Sequence, residues 1–249
     1  MAKHSHWDNI KHKKSANDKK KAAVIAKMGV IITTAVAAGG PKPEDNPRLR
    51  LAIAKARSAG MAAEVIERAI LKASGQGAAG KMMDEVTYEG YAPGGVAIVI
   101  SALTDNRHRT APEIKKIFER AGTAMGLPGC VAWQFKDCSV FQVTGSNEDR
   151  VMEVLLDAGC DAEEIAGDAE GVSITAAANQ FDAIAKALAA AKLAVARLDI
   201  TKLPDNPLDI TDLATAQAVQ ELVDALEENA DVQEVSHNAA FSAEVLAAL

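Results

Sequence analysis

At 249 residues the chain can bury a substantial core, and its length argues for two or three domains rather than one. Its formal net charge of −7, taken alone, describes an acidic protein and speaks against a polyanion binder. The cysteines, Cys130, Cys138 and Cys160, are odd in number and lack C-x-x-C spacing. That argues against a disulfide framework or a thiolate zinc site and fits a reducing compartment.

The average charge hides a segregation. Residues 1–76 carry 15 Lys and Arg against 6 Asp and Glu, whereas residues 77–249 carry 12 against 28. A basic third joined to an acidic body suggests a polyanion-facing module on a body that resists non-specific sticking. The excess peaks in the first 21 residues, where Lys3, Lys11, Lys13, Lys14, Lys19, Lys20 and Lys21 stand against Asp8 and Asp18. Trp7, His4, His6 and His12 are set among those lysines. A lysine-rich arm holding a flat ring suits phosphate contact and base stacking. The competing reading is a solvated terminus, with Trp7 only anchoring the arm to the helices behind it.

Next comes an apolar run, Ala22 to Ala38, closed by Gly39-Gly40-Pro41. It is at the short end for a membrane span and is interrupted by Lys27 and Gly29, so it is read as a buried helix of the first domain, with no membrane role. Neither a secretory nor a mitochondrial targeting pattern precedes it. Asn46-Pro47 reads as an N-cap with proline in the first turn, opening a helix that stops near Gly60. A further helix carries Val65, Ile66, Ala69 and Ile70 and ends at Ser74-Gly75. Gln76 to Lys81 is a linker.

The period then changes. Val86–Tyr91 and Val96–Leu103 read as strands joined by Pro93-Gly94-Gly95. Thr110-Ala111-Pro112-Glu113 reads as a capping box before a helix with Ile114, Ile117, Phe118 and Ala121 inward. Cys130–Phe135 is expected to be a strand. From Val140 the order is strand, helix capped at Ser146, two strands near 164–166 and 172–176, helix 181–191, and strand 195–200. That β-α-β-β-α-β order is the split arrangement of ferredoxin-like domains. Lys202–Pro207 reads as a linker, followed by a helix from Leu213 and a last strand from Val232.

The expectation is therefore an α+β fold of three domains, a basic helical N-terminal domain and two ferredoxin-like α/β domains. The first covers 1–80, and a discontinuous second is built from 81–136 plus 206–249. The third, 137–205, is inserted into the second.

The sharpest chemical cluster is Thr104-Asp105-Asn106-Arg107-His108-Arg109-Thr110. It joins a strand end to a helix start, where free N–H groups and the helix dipole favour an anion and two arginines can clamp phosphate. The bland alternative is a loop in which Asp105 pairs with the arginines. Arg48 and Arg50, just after a helix start, suit a phosphate track or ordinary solvation equally. Enzyme signatures fare badly: Gly90 to Gly95 lacks the Lys-Ser/Thr of a phosphate loop, and no serine sits in a nucleophile elbow. No catalytic residue, cofactor, metal or small-molecule substrate is expected.

Taken together, His4-Ser5-His6-Trp7, Asn9 to Lys14, Asn46 to Arg50, Tyr88 to Val96, Thr104 to Thr110, Gly129 to Phe135 and Asp231 to Asn238 resemble the YebC family over nearly the whole chain. The resemblance implies a cytoplasmic, non-enzymatic protein of gene expression, described in bacteria as a DNA-binding transcriptional regulator. It equally implies a role in translation, since a mitochondrial relative is a translational activator and bacterial members are linked to ribosomes stalled on proline-rich sequences. The sequence departs from the family in Ala22–Ala38, which lacks the usual aromatic and charges.

The resulting expectation is an RNA-binding translation factor on the ribosome, with rRNA or tRNA backbone as partner. DNA is the alternative target. Its contact residues would be Lys3, His4, Trp7, Lys11, His12, Lys13, Lys14, Lys19, Lys20, Arg48, Arg50, Arg107 and Arg109.

Overall fold

The structure, a computed structural model, describes residues 18–75, 83–168 and 170–249, with side chains from Ala22 onward. It is an α+β fold with several domains, helical at the N-terminal end and mixed helix and sheet beyond. The chain divides into two compact units, one of residues 1–34, 77–136 and 203–249, the other of 35–76 and 137–202.

The first unit is built on β1 (Asp84–Tyr91), β2 (Ala97–Thr104) and β8 (Val232–His237), antiparallel in the order β1-β2-β8. The central strand explains the layering. Its alternating side chains are buried on both faces: Ile98, Ile100 and Ala102 point into the main core, and Ala97 and Val99 into a smaller cluster with Val131 and Phe135. Helices α4 (Arg107–Arg120) and α7 (Leu213–Glu227) cover the main face with Ile114, Phe118, Val219, Leu222, Val223 and Leu226. Each such fully buried side chain stabilises the unit by about 1.5–3 kcal/mol. A two-stranded parallel pair, β7 (Leu208–Ile210) with β9 (Ala239–Phe241), and a short helix α8 (Ala243–Ala248) complete it.

The second unit contains the expected β-α-β-β-α-β run: β3 (Phe135–Thr144), α5 (Glu148–Asp157), β4 (Glu164–Asp168), β5 (Gly171–Ala177), α6 (Phe181–Ala190) and β6 (Ala194–Pro204). The strands lie in the order β4-β5-β3-β6. Phe141 stacks on Phe181 with ring centroids 5.4 Å apart, within a core of Val143, Val151, Leu155, Ile174, Ile184 and Leu188.

Ahead of these lie α1 (Asp18–Gly39), α2 (Pro47–Ser58) and α3 (Ala63–Ser74). Asn46 ties the first two together. Its Oδ1 accepts the Leu49 N–H at 3.0 Å as N-cap, while its Nδ2 donates to the carbonyls of Ala35 (2.8 Å) and Gly40 (2.9 Å), orphans of the α1 C-terminus. The approach is so close that a Cβ on Gly39 would lie 2.7 Å from the Asn46 side chain.

Several local expectations are corrected. The apolar first helix is not a buried one, since among its described side chains only Ile32, Ala35 and Val36 are buried. Its small and branched apolar residues surround the helix without forming a stripe, so packing on one side leaves the rest exposed. By length and composition alone, its Ala22–Gly39 window could cross a bilayer. The α4 cap is Asn106, not Thr110: Asn106 accepts the Arg109 N–H, and Thr110 lies a turn inside, its hydroxyl oxygen 3.1 Å from the Asn106 carbonyl. Asn147, not Ser146, caps α5. Strand β6 runs through Pro204, taking half of the expected linker. Of the strand expected over Cys130–Phe135 only Phe135 is one, as the first residue of β3; a 3₁₀ turn occupies Ala132–Gln134, for a reason that lies in Glu89.

Replacing Asn46 by Ala removes the cap and the side-chain donor to the buried Ala35 and half-buried Gly40 carbonyls, an expected loss of about 2–3 kcal/mol in urea unfolding. Asn46→Asp, which keeps the cap acceptor but turns an anion on the two carbonyls, should recover little of it.

Candidate nucleic-acid interface

Of the thirteen sequence-nominated residues, Lys3, His4, Trp7, Lys11, His12, Lys13 and Lys14 lie outside the described residues. Lys19 and Lys20 fall in the first turn of α1. The four arginines are placed, and Arg50, Arg107 and Arg109 meet carboxylates.

Arg109, in the first turn of α4, donates to Asp231 at 2.7 Å and lies 3.1 Å from Asp105. Its hydrogen bond to Asp231 and that charge hold the guanidinium even more firmly protonated. The same Asp231 oxygen lies 2.6 Å from the Thr110 hydroxyl and 3.1 Å from that of Thr104. Burial pushes the Asp231 carboxyl up, but Thr110, Arg109 and Thr104 together outweigh it and hold the group below its ordinary value. Arg107 donates to Asp84 at 2.8 Å and keeps more than half of its side chain exposed. The anion at this helix start is thus supplied by the chain itself, and a phosphate would have to exchange with Asp231 and Asp84.

In the second unit Arg50 donates to Asp182 at 2.7 Å and to the carbonyls of Pro43 (2.9 Å) and Glu44 (3.1 Å). It is a brace between α2 and α6. Arg48, two residues earlier, is exposed. Lys55, further along α2, pairs with Asp199 of β6. In the first unit Lys27 of α1 donates to the Glu227 carbonyl at the end of α7, where the helix dipole favours a cation.

A feature not nominated from sequence is the loop from Met125 to Gln134. Glu89, on β1 and only 5% exposed, accepts three backbone N–H groups: Gly129 at 2.6 Å, Val131 at 2.8 Å and Ala132 at 2.7 Å. The Gly126 N–H donates to its carbonyl at 2.7 Å. These bonds take the N–H groups that a strand would use in a ladder, so the segment becomes a clamped turn. Gly90 beside it cannot carry a side chain, because a Cβ would lie 2.8 Å from the Phe118 ring. Val131 and Phe135 are buried, while Leu127 (81% exposed) and Trp133 (73% exposed) project outward. The Trp133 Nε1–H donates to the Cys130 carbonyl at 3.2 Å. The sequence carries no local signal for Glu89, which sits in the polar strand DEVTYEGY and whose partners lie some forty residues downstream.

Burial pushes the Glu89 carboxyl up, but the Gly129, Val131 and Ala132 N–H groups more than offset that and hold it below the ordinary glutamate range. A depressed folded pKa means the stabilisation is fully present above the unfolded value and is lost as pH falls through the folded one. Glu89→Gln presents one acceptor oxygen and an NH₂ to three donors, an expected loss of about 2–4 kcal/mol at pH 7. In thermal melts from pH 7 to 3, its Tm should fall less with acid than that of the wild type. Asp231→Asn removes the anion holding Arg109. If Arg109 reaches phosphate, oligonucleotide affinity should rise about 2- to 5-fold with a steeper salt dependence; unchanged binding would make Arg109 purely structural.

Two family models match the chain: the TACO1/YebC protein N-terminal domain over residues 5–76, and the TACO1/YebC second and third domain over residues 83–239. A "probable transcriptional regulatory protein" of Sulfurihydrogenibium sp. is 42% identical over 240 residues, covering 96% of this chain and 95% of that one. One of the same description from Paracidovorax citrulli is 43% identical over 243 residues, covering 97% and 100%. The crystal structure of a conserved hypothetical protein from Aquifex aeolicus superposes with a TM-score of 0.82 at 38% identity, over 95% of this chain and 97% of that one. Matched in both parts and along nearly its full length, the chain belongs to the TACO1/YebC family.

Proposed function

We propose that this protein is a non-enzymatic, nucleic-acid-binding regulator of gene expression, acting in the cytoplasm on RNA at the ribosome and assisting translation of proline-rich sequences. The observation that carries the reading is the charge segregation, 15 basic against 6 acidic residues up to position 76 on a chain whose remainder is strongly acidic. Lys11, Lys13, Lys14, Lys19 and Lys20 neutralise backbone phosphates, with Lys3 and His4 extending the track and Trp7 or His12 stacking. Arg48, exposed on α2, is a further candidate phosphate contact. Arg50, Arg107 and Arg109 join it only by exchanging a carboxylate for a phosphate.

That the relatives are described as probable transcriptional regulatory proteins favours a second reading, in which this chain binds DNA as a transcriptional regulator. One structural feature touches it. Helices α2 and α3 are joined by the four residues 59–62, with Gly60 at φ +82°, a connection of helix-turn-helix length. In that motif the start of the second helix meets base edges between phosphate rows. Here α3 begins with Glu64 and Glu67, which would repel those phosphates. That favours RNA over a major-groove reader.

Cross-linking in cells, with sequencing of bound RNA and bound DNA, separates the two. Ribosomal RNA reads that vanish when the five arm lysines become alanine support the translation reading; promoter peaks sharing a sequence, without rRNA enrichment, overturn it. In vitro, the same five-fold variant should lower the salt slope of binding by about 0.7–0.9 per lost phosphate contact.

A further inference from the structure

We propose that Trp133 is a rigid stacking platform for an unpaired base of single-stranded nucleic acid, an inference that rests on the nucleic-acid-binding reading above. Tryptophan is costly to leave in water, yet this ring is 73% exposed at the tip of one of the most firmly held turns in the first unit. Flexibility does not account for the exposure. The residue before it is fixed by the Ala132 N–H on Glu89, Val131 is buried, and Phe135 two residues later is buried beside Ala97 and Val99. The indole's only polar atom is satisfied within the loop by the Cys130 carbonyl. What remains for a partner is the π-face, presented with little entropy left to lose on binding. Leu127, 81% exposed and joined to the same turn by the Cys130 N–H on its carbonyl at 3.1 Å, adds an apolar edge.

Size points to a base rather than a protein. One indole and one leucine offer roughly 150–250 Å² of apolar surface each at most, far below the ~800 Å² per partner of a stable protein interface, whereas a single base matches an indole face.

The test uses the full chain with Trp7→Phe, so that Trp133 is the sole indole. Single-stranded 12-nucleotide oligoadenylate and oligouridylate should quench its emission, and a 12-base-pair duplex should not. Trp133→Ala should weaken single-strand binding about 5- to 150-fold while leaving the salt slope unchanged, because a neutral ring releases no counterions. Trp133→Phe should restore most of the affinity, and melting curves should stay superimposable because the ring is exposed. Tight binding with unquenched emission and an undisturbed Trp133→Ala variant overturns the platform and leaves the nucleic-acid reading intact. If neither single-stranded nor duplex probes bind the wild type, that reading falls and the platform falls with it. If Trp133→Ala abolishes self-association in sedimentation without changing oligonucleotide affinity, the loop meets a second copy instead, which also overturns the proposal.

Discussion

A carboxylate buried among backbone donors can exist only if those donors stay where they are, and Glu89 imposes that condition on the first unit. Three N–H groups from residues 129–132 converge on it, so the strand β1 and the loop some forty residues later form one object. Removing water from a carboxylate is expensive, and donors that cannot be reached by water repay it only when the geometry is closed on every side. Gly90 leaves room for Phe118 on the other face of β1, and the Gly126 N–H on the Glu89 carbonyl ties down the start of the loop. The result is an exposed tryptophan on a turn with little freedom. A free loop would have folded the same ring back onto apolar surface.

The arginines follow a second economy. Arg107, Arg109 and Arg50 were nominated as phosphate ligands from their position at helix starts, and each meets an aspartate. All four partner acids, Asp84, Asp105, Asp182 and Asp231, belong to the acidic body. Such exposed pairs contribute modestly to stability, about 0–1 kcal/mol. Their consequence is different: they hold the cationic heads in fixed positions and lower the body's own appetite for polyanions. The densest basic charge in the sequence lies in its first 21 residues, seven lysines against two aspartates.

The first helix shows how composition and environment diverge. Its run from Ala22 to Ala38 carries one charged residue, Lys27, yet only a short stretch near Ile32, Ala35 and Val36 is buried. Two polar anchors hold it, each on a helix terminus. Lys27 donates to the last turn of α7, and Asn46 collects the carbonyls left at its own C-terminus. An apolar surface without a stripe cannot orient itself by burial alone, so hydrogen bonds to helix ends set its position.

Local chemistry determined most of what the sequence by itself reveals. The helix at Asn46-Pro47, the two strands around Pro93-Gly94-Gly95, the β-α-β-β-α-β order and the basic-to-acidic division all depend on neighbours within a few residues or on summed charge, and all are legible without coordinates. What failed depended on partners distant in sequence. Thr110 satisfied the pattern of a cap, but Asn106 was already one, and the Thr110 hydroxyl was wanted by Asp231 more than a hundred residues away. Cys130–Phe135 had strand composition, but its N–H groups were claimed by Glu89. The arginines had the position of phosphate ligands, but aspartates brought close by folding took them first. Periodicity and capping report what a segment prefers; the tertiary structure decided which buried polar group would be satisfied by which donor, because an unpaired buried charge costs more than any local preference can supply.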